Sequence, residues 1–238
     1  MFFNGDIMKH VGLIGFGNFG RYLYGLMCEY FKFYIYDRSI TSSQEFSTLE
    51  ECLSKDIIIL AIPAGRLENF LIENAVLFNK NSRVFDVSSV KMKPLKLLEH
   101  YLPSTIEIVG THPLFGPNSG IKNSKIVICP VRSSRLGETT SFLKDKLGLE
   151  VLIRTPEEHD REMAIVQGLT HFIARALKKM NLKDCDMKTK AYEHLLGMYD
   201  ILKKDTDDLF HTIEHENPFA GEIRRNFMGE LEKINKDI

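Results

Sequence analysis

At 238 residues the chain is long enough to form one large domain or two small ones around a buried core. Its 31 Lys and Arg nearly balance 32 Asp and Glu, and the formal net charge of −1 argues against a nucleic acid or an anionic membrane surface as partner. Hydrophobic content of 44% and charged content of 26% are those of a soluble globular protein, and the longest apolar stretch, "DIIILAIPAG", is far too short to span a bilayer.

The first residues, "MFFNGDIMKH", lack a basic segment followed by an apolar one and do not read as a signal peptide. Met8 stands directly before the first β-rich run, so residues 1–7 are expected to be a disordered tail or an alternative start. From there "HVGLIG" reads as a strand, "FGRYLYGLMCEYF" as a helix and "KFYIYD" as the next strand. "DIIILAIP" is a continuous apolar run of the kind found in strands covered on both faces. The helical "RLENFLIENAVLF", the strand "SRVFDVS" and the helix "MKPLKLLEHYL" follow. "IEIVGTH", "KIVICPV" and "EVLIR" supply three more strands, with the helix "RLGETTSFLKDKLG" before the last. Strands alternating with helices imply parallel pairing through right-handed crossovers, so residues 8–155 are expected to form an α/β, doubly wound (Rossmann) domain.

At Thr155 the pattern changes. Thr155-Pro156-Glu157-Glu158 offers a cap residue, a proline at the first helical position and an acid three residues after the cap. No β-rich run recurs after it, and helical periodicity continues through "DREMAIVQGLTHFIARALKKM", "TKAYEHLLGMYDILKK" and "AGEIRRNFMGELEKI". Residues 156–238 are therefore expected to be a small all-helical domain, and about 80 residues are marginal alone, which favours a core shared with the first domain or with a second subunit. The four cysteines, Cys28, Cys52, Cys129 and Cys185, are widely spaced and form no metal-type pair; reduced thiols in a cytoplasm, and no metal, are the expectation.

"GFGNFG" (Gly15, Phe16, Gly17, Asn18, Phe19, Gly20) follows a strand and opens a helix. In a dinucleotide site the first glycine allows the tight turn, the second lets the pyrophosphate approach the backbone and the third permits close helix–sheet packing. The helix N-terminus adds free amide donors and a partial positive charge. An acid, Asp37, ends the next strand 22 positions after Gly15, where it would accept hydrogen bonds from the adenosine ribose and repel a 2′-phosphate. NAD is the expected cofactor; Arg38, next to Asp37, keeps NADP possible. Pro63 and Ser88, near strand ends on the same edge, join the candidate cofactor residues.

Strand ends also bring Ser88, Ser89, Lys91 and His112 together, from "FDVSSVK" and "VGTHPLFG". His112 lies between Thr111 and Pro113, and a residue before proline is pushed toward extended geometry, so its ring direction is largely fixed. This fits a general base on the lip of a sheet, and equally an incidental histidine in a strand-to-loop turn. On the long helix an apolar stripe is expected through Met163, Val166, Ile173, Leu177 and Met180, with Gln167, Gly168, His171 and Arg175 on a neighbouring polar face, either functional or simply solvated.

Together, "GLIGFGNFG", "DVSSVK", "GTHPLFGP", "EEHDR" before "THFIARAL", and "DDLFHTIEHENPFA" resemble the prephenate/arogenate dehydrogenase family over nearly the whole chain, most closely its short arogenate-dehydrogenase branch. The resemblance implies a nucleotide-binding domain followed by a helical dimerisation domain, hence a homodimer. It also implies an oxidative decarboxylation of prephenate or arogenate, in which a ring hydroxyl loses its proton while hydride leaves the same carbon for NAD(P)⁺ and the product loses CO₂ to become aromatic. His112 matches the catalytic histidine, which must be neutral near pH 7 and within reach of the hydroxyl. Ser89 would hydrogen-bond the hydroxyl and that histidine, His171 matches a substrate-binding histidine, and Lys91 would add positive charge near the substrate unless it only faces solvent. Many members carry an aromatic–arginine pair in the next helix, the arginine clamping a carboxylate. Here an ungapped reading gives Tyr192-Glu193 and a shifted one Lys190, neither an equivalent clamp; Glu193 would favour the ammonium of arogenate. Two rivals stand beside this reading: another small-acid dehydrogenase of similar layout, to which "THPLFGP" does not belong, and a non-catalytic NAD(P)-binding sensor or degenerate paralogue.

Overall fold

The computed structural model describes residues 8–40, 46–117, 120–203 and 205–238, so the expectation for residues 1–7 lies outside the described residues. The chain forms two compact units, divided between His159 and Asp160. Among the described residues the first unit holds seven strands: β1 (His10–Ile14), β2 (Lys32–Tyr36), β3 (Ile57–Leu60), β4 (Arg83–Asp86), β5 (Glu107–Pro113), β6 (Lys125–Arg132) and β7 (Glu150–Ile153). They form one sheet in the order β2-β1-β3-β4-β5-β6-β7. Its helices are α1 (Asn18–Met27), α2 (Leu49–Leu53), α3 (Ala64–Asn74), α4 (Met92–Tyr101) and α5 (Leu136–Asp145), with α6 (Pro156–Met163) running on into the second unit.

Strands β1 to β5 are parallel, as alternation with helices requires, but β6 runs antiparallel to β5, and β7 is parallel to β6. The expectation of parallel pairing throughout is corrected there. Pro113 ends β5, and the described residues of the link that follows, with Gly116, Pro117 and Gly120, hold no helix to carry the chain back across the sheet, in keeping with a return in the opposite direction. Strand residues alternate between two cores, one containing Ile58, Leu60 and Val127 with the buried residues of α3 and α4, the other Ile59, Ile126 and Ile128 with those of α1 and α5. That period of two, with apolar residues on both faces, explains why these strands read as unbroken hydrophobic runs.

Helix starts follow their caps. The Thr48 hydroxyl accepts from the Glu51 amide (3.1 Å) at α2, and at α6 Thr155 and Glu158 cap each other reciprocally, the Thr155 amide donating to Glu158 Oε2 (2.8 Å) and the Glu158 amide to the Thr155 hydroxyl (3.2 Å).

The second unit holds α7 (Thr170–Lys179), α8 (Lys190–Leu202), α9 (Asp207–His211) and α10 (Ala220–Asp237). Two π-wound stretches, Ala164–Leu169 and Thr212–Glu216, pack against α10. The first corrects the expected apolar stripe: Val166 and Met180 are 60% and 71% exposed, whereas Met163, Ala164, Gly168, His171 and Ala174 are buried. A π stretch carries more residues per turn than an α-helix, so the line drawn at 3.6 residues slips and His171 lands on the buried side. No helix among the described residues is long and apolar enough to cross a membrane.

Candidate active site

Register brings the site together within the first unit. Ile14, Leu60, Asp86 and Gly110 are successive partners across β1, β3, β4 and β5, so the segments that follow them leave the same carboxyl edge of the sheet. The strand order reverses between β1 and its neighbours β2 and β3, and ligands bind such α/β sheets outside the carboxyl ends at this switch point. Phe115, three residues after His112, stacks edge-on against Tyr22 of α1 (centroids 6.3 Å apart), which ties the histidine loop to the glycine-loop helix.

The three glycines each have a distinct geometric reason. Gly15 takes φ +99°, and a Cβ there would lie 2.4 Å from the Ala61 carbonyl oxygen. A Cβ on Gly20 would lie 2.2 Å from the Gly15 carbonyl oxygen, so this glycine lets α1 close onto the turn. Gly17, exposed at the start of α1, has nothing within 4 Å of its Cβ position. That open space over a helix N-terminus is the cradle a pyrophosphate needs. Asn18 beside it is exposed, Phe19 is half-buried, and Pro63 is exposed at the start of α3. Asp37 closes the cradle: its Oδ2 accepts from the Phe16 amide (2.7 Å), and its Oδ1 from the Ser39 amide (2.9 Å) and hydroxyl (2.6 Å). Burial pushes this carboxyl up, but the hydrogen bonds from Ser39 and Phe16 outweigh it, and its pKa falls below the ordinary value. Arg38 is exposed.

Beyond β4 the titratable side chains are buried. Lys91, entirely buried, pairs with Asp86 Oδ2 and donates to the Thr111 carbonyl (2.8 Å); the Thr111 hydroxyl donates to the Asp86 carbonyl (2.9 Å). A Cβ on Gly110 would press on Leu95 and on the Lys91 stem, so glycine there makes room for the buried lysine. Lys91 is thus neither solvent-facing nor a surface charge; it is a strut tying the end of β4 to the residue before His112. The Ser88 hydroxyl belongs to the same cluster, 2.9 Å from Asp86 Oδ2 and 2.8 Å from the Val90 carbonyl.

His112 is 4% exposed, and its Nδ1 lies 2.8 Å from Nε2 of His159, which is 1% exposed on α6. The rings are tilted at 68°. Burial first, then the charges of His159 and Lys91, hold the His112 ring well below its usual pKa, which keeps it neutral at neutral pH. The implied bond from Ser89 to His112 is not formed: Ser89 is half-buried and makes no hydrogen bond among the described residues, and Nδ1 is taken by His159. His159 is the residue that sequence reasoning missed. A signal was there, since it lies four positions before Met163, in line with the buried side of the helix.

Within the second unit, His171 is buried with Nδ1 3.5 Å from Asp205 Oδ2. Burial, then the charge of Arg175, brings its pKa to about 4, so at neutral pH this contact joins a neutral ring to a carboxylate and is not an ion pair. Arg175, Lys178 and Lys203 line one pocket with His171 and Asp205. The Arg175 guanidinium bonds Asp207 (2.5 Å) and lies over the Phe210 ring. Lys190, Tyr192 and Glu193 do not line this pocket: Lys190 and Glu193 pair with each other on the surface of α8 (2.8 Å), and the Tyr192 hydroxyl donates to the Lys183 carbonyl (2.6 Å).

Comparison with known proteins adds an independent line. Residues 37–129 match the nucleotide-binding domain of prephenate dehydrogenase, and residues 176–238 match the TYRAAT1-like C-terminal domain. The chain is 28% identical to a probable arogenate/prephenate dehydrogenase of Methanocaldococcus jannaschii, over 81% of this chain and 46% of that protein. It is 31% identical to arogenate dehydrogenase 1, chloroplastic, of Arabidopsis thaliana, over 96% of this chain and 39% of that protein. The chain thus spans under half the length of these two relatives. Its fold is that of the prephenate dehydrogenase of Aquifex aeolicus crystallised with hydroxyphenyl propionate and NAD⁺, with a TM-score of 0.73 at 21% identity over 98% of this chain and 91% of that one.

Proposed function

As the chain belongs to the prephenate/arogenate dehydrogenase family, we propose that it carries out the NAD(P)-dependent oxidative decarboxylation of prephenate or arogenate, a step of tyrosine biosynthesis. The observation that carries this reading is a buried, neutral histidine at the carboxyl edge of the sheet, in the same unit as an open glycine cradle.

The Gly17 cradle, the α1 N-terminus and Asp37 fit a dinucleotide; Phe16, Asn18 and Phe19 of the same loop, and Pro63 and Ser88 after β3 and β4, would complete its site. Asp37, ionised and half-buried, favours NAD over NADP; Arg38 is the residue a 2′-phosphate would use. When bound, the nicotinamide supplies the hydride acceptor. His112 takes the proton of the ring hydroxyl as hydride leaves the same carbon, and loss of CO₂ then makes the ring aromatic. Ser89, with its hydroxyl uncommitted among the described residues, is available to hydrogen-bond the substrate. Lys91, paired with Asp86, acts from beneath by holding the edge together.

His171 and the cationic pocket beside it support binding of a substrate carboxylate, and Arg175 has the planar fork that Lys190 lacks. With Glu193 paired to Lys190, it is a weaker selector for the arogenate ammonium than an unpaired carboxylate would be, and both substrates belong in the first assay. A homodimer through the helical unit fits α8, which buries no residue, and the exposed Met228, Leu231 and Ile234 of α10. The four free cysteines, which form no metal-type pair, support a cytoplasmic setting.

The test is formation of reduced nicotinamide with prephenate and arogenate, each offered with NAD⁺ and NADP⁺. Turnover with NAD⁺ exceeding that with NADP⁺ is expected. NAD⁺ binding without turnover of either substrate would leave the sensor instead.

A further inference from the structure

We infer that His159 is a positioning residue for the reaction: it holds His112 in the one tautomer that can act as a base at Nε2. The inference rests on the reading of His112 as that base and goes beyond it, because nothing in the base assignment requires a second histidine.

The number of protons shared by the two rings fixes the tautomer. Two ring nitrogens, Nδ1 of His112 and Nε2 of His159, lie 2.8 Å apart in a place that is almost wholly buried. Only one proton fits between them, since two donors facing each other at that distance repel and two lone pairs leave buried acceptors unpaired. If His159 donates, a neutral His112 carries its own proton on Nε2 and has no lone pair to offer a substrate hydroxyl. If His112 donates from Nδ1, its Nε2 lone pair is free. A ring that then gains a second proton at Nε2 keeps donating to His159, so the bond persists in both charge states and steadies the imidazolium as it forms. The other arrangement fails at the moment of reaction.

The surroundings hold this geometry from both sides. His112 is set in β5, paired with Val127 of β6 and followed by Pro113, so its backbone is extended on a rigid element. His159 sits in the first turn of α6, its amide bonded to the Thr155 carbonyl (3.0 Å), directly after the reciprocal Thr155–Glu158 cap. The cap fixes where the helix begins, and hence where the His159 ring stands. The tautomer of His112 and the dependence of turnover on an acceptor at position 159 are the readouts that bear on this role.

Two measurements decide it. The ¹⁵N shifts of His112 in the native full-length protein report the tautomer directly: a protonated Nδ1 with an unprotonated Nε2 is expected, and a protonated Nε2 would overturn the inference. In turnover, His159→Leu, which cannot accept a hydrogen bond, is expected to lower kcat about 10- to 100-fold, a part of the usual general-base contribution, while KM for the substrate stays within about twofold. His159→Gln, whose carbonyl accepts from Nδ1, should recover most of the loss. A folded His159→Leu protein with wild-type kcat contradicts the inference, and the native shifts and the Gln variant decide it even where the Leu chain fails to fold. Full turnover in His112→Asn is a different result: it would remove the base reading on which this one stands.

Discussion

The cofactor end and the histidine end of the same sheet edge are built on opposite plans. At the glycine loop the functional groups are backbone amides in the open, and the side chains have been removed: Gly17 has nothing near it within 4 Å. At the other end the groups proposed to act are side chains packed away from water, with His112, His159, Lys91 and Asp86 all at 4% exposure or less. The difference follows from the chemistry. A pyrophosphate is held by amides and a helix end, which need only space. A base must have its protonation state set, and burial beside fixed partners is what sets it.

On this contrast, removing a charged side chain at the buried end is expected to cost stability, whereas adding a side chain at the open end is expected to cost only binding. The largest effect on stability is expected from Lys91→Met, which leaves the buried Asp86 carboxylate without its charge partner, with the Ser88 bonds remaining: a loss of about 3–5 kcal/mol, read as a lower midpoint in denaturant unfolding. The pH dependence comes next. Both His112 and His171 have pKa values below 6.5 in the folded protein, His171 at about 4, so between those limits the unfolded chain binds more protons than the native one. Stability therefore rises with pH across that window and is lost as pH falls from 6.5 toward 4, by on the order of 3 kcal/mol for His171 alone. Unfolding curves at pH 7 and pH 4.5 (conditions of the experiment) check the sign; a protein more stable at the lower pH would contradict it.

The glycines sharpen the comparison at smaller scale. Gly20→Ala drives a Cβ to 2.2 Å from a carbonyl oxygen and should cost about 1–3 kcal/mol of stability, as overpacking does. Gly17→Ala meets nothing, and should leave the thermal midpoint unchanged while weakening NAD⁺ affinity about tenfold, or roughly 1.4 kcal/mol, in a calorimetric titration. Equal thermal losses in both variants would erase the distinction between the packing glycine and the cradle glycine.

The same contrast explains what could be read from the sequence. The glycine loop and Asp37 were legible because spacing along one strand–helix–strand unit dictates their arrangement, and the loop's strand and helix are local. His159 and His112 are 47 positions apart, and no local pattern joins them. Lys91 at a helix start looks solvent-facing by its residue type; only Gly110 and Asp86 in space make it a buried strut. The reversal of β6 was signalled by the missing helix between two strands but is a matter of pairing, and the burial of His171 depends on a π-wound stretch that no 3.6-residue count foresees. The five-residue helices α2 and α9 are under two turns long and leave no periodicity to detect.

The central claim is that His112 is the base, and the most direct test pairs turnover with cofactor binding in His112→Asn. The account predicts that kcat with the better of prephenate and arogenate falls about 100- to 10,000-fold, the range a general base contributes, while NAD⁺ binds as tightly as to the unaltered protein. A variant that binds NAD⁺ and turns over at the original rate would contradict it.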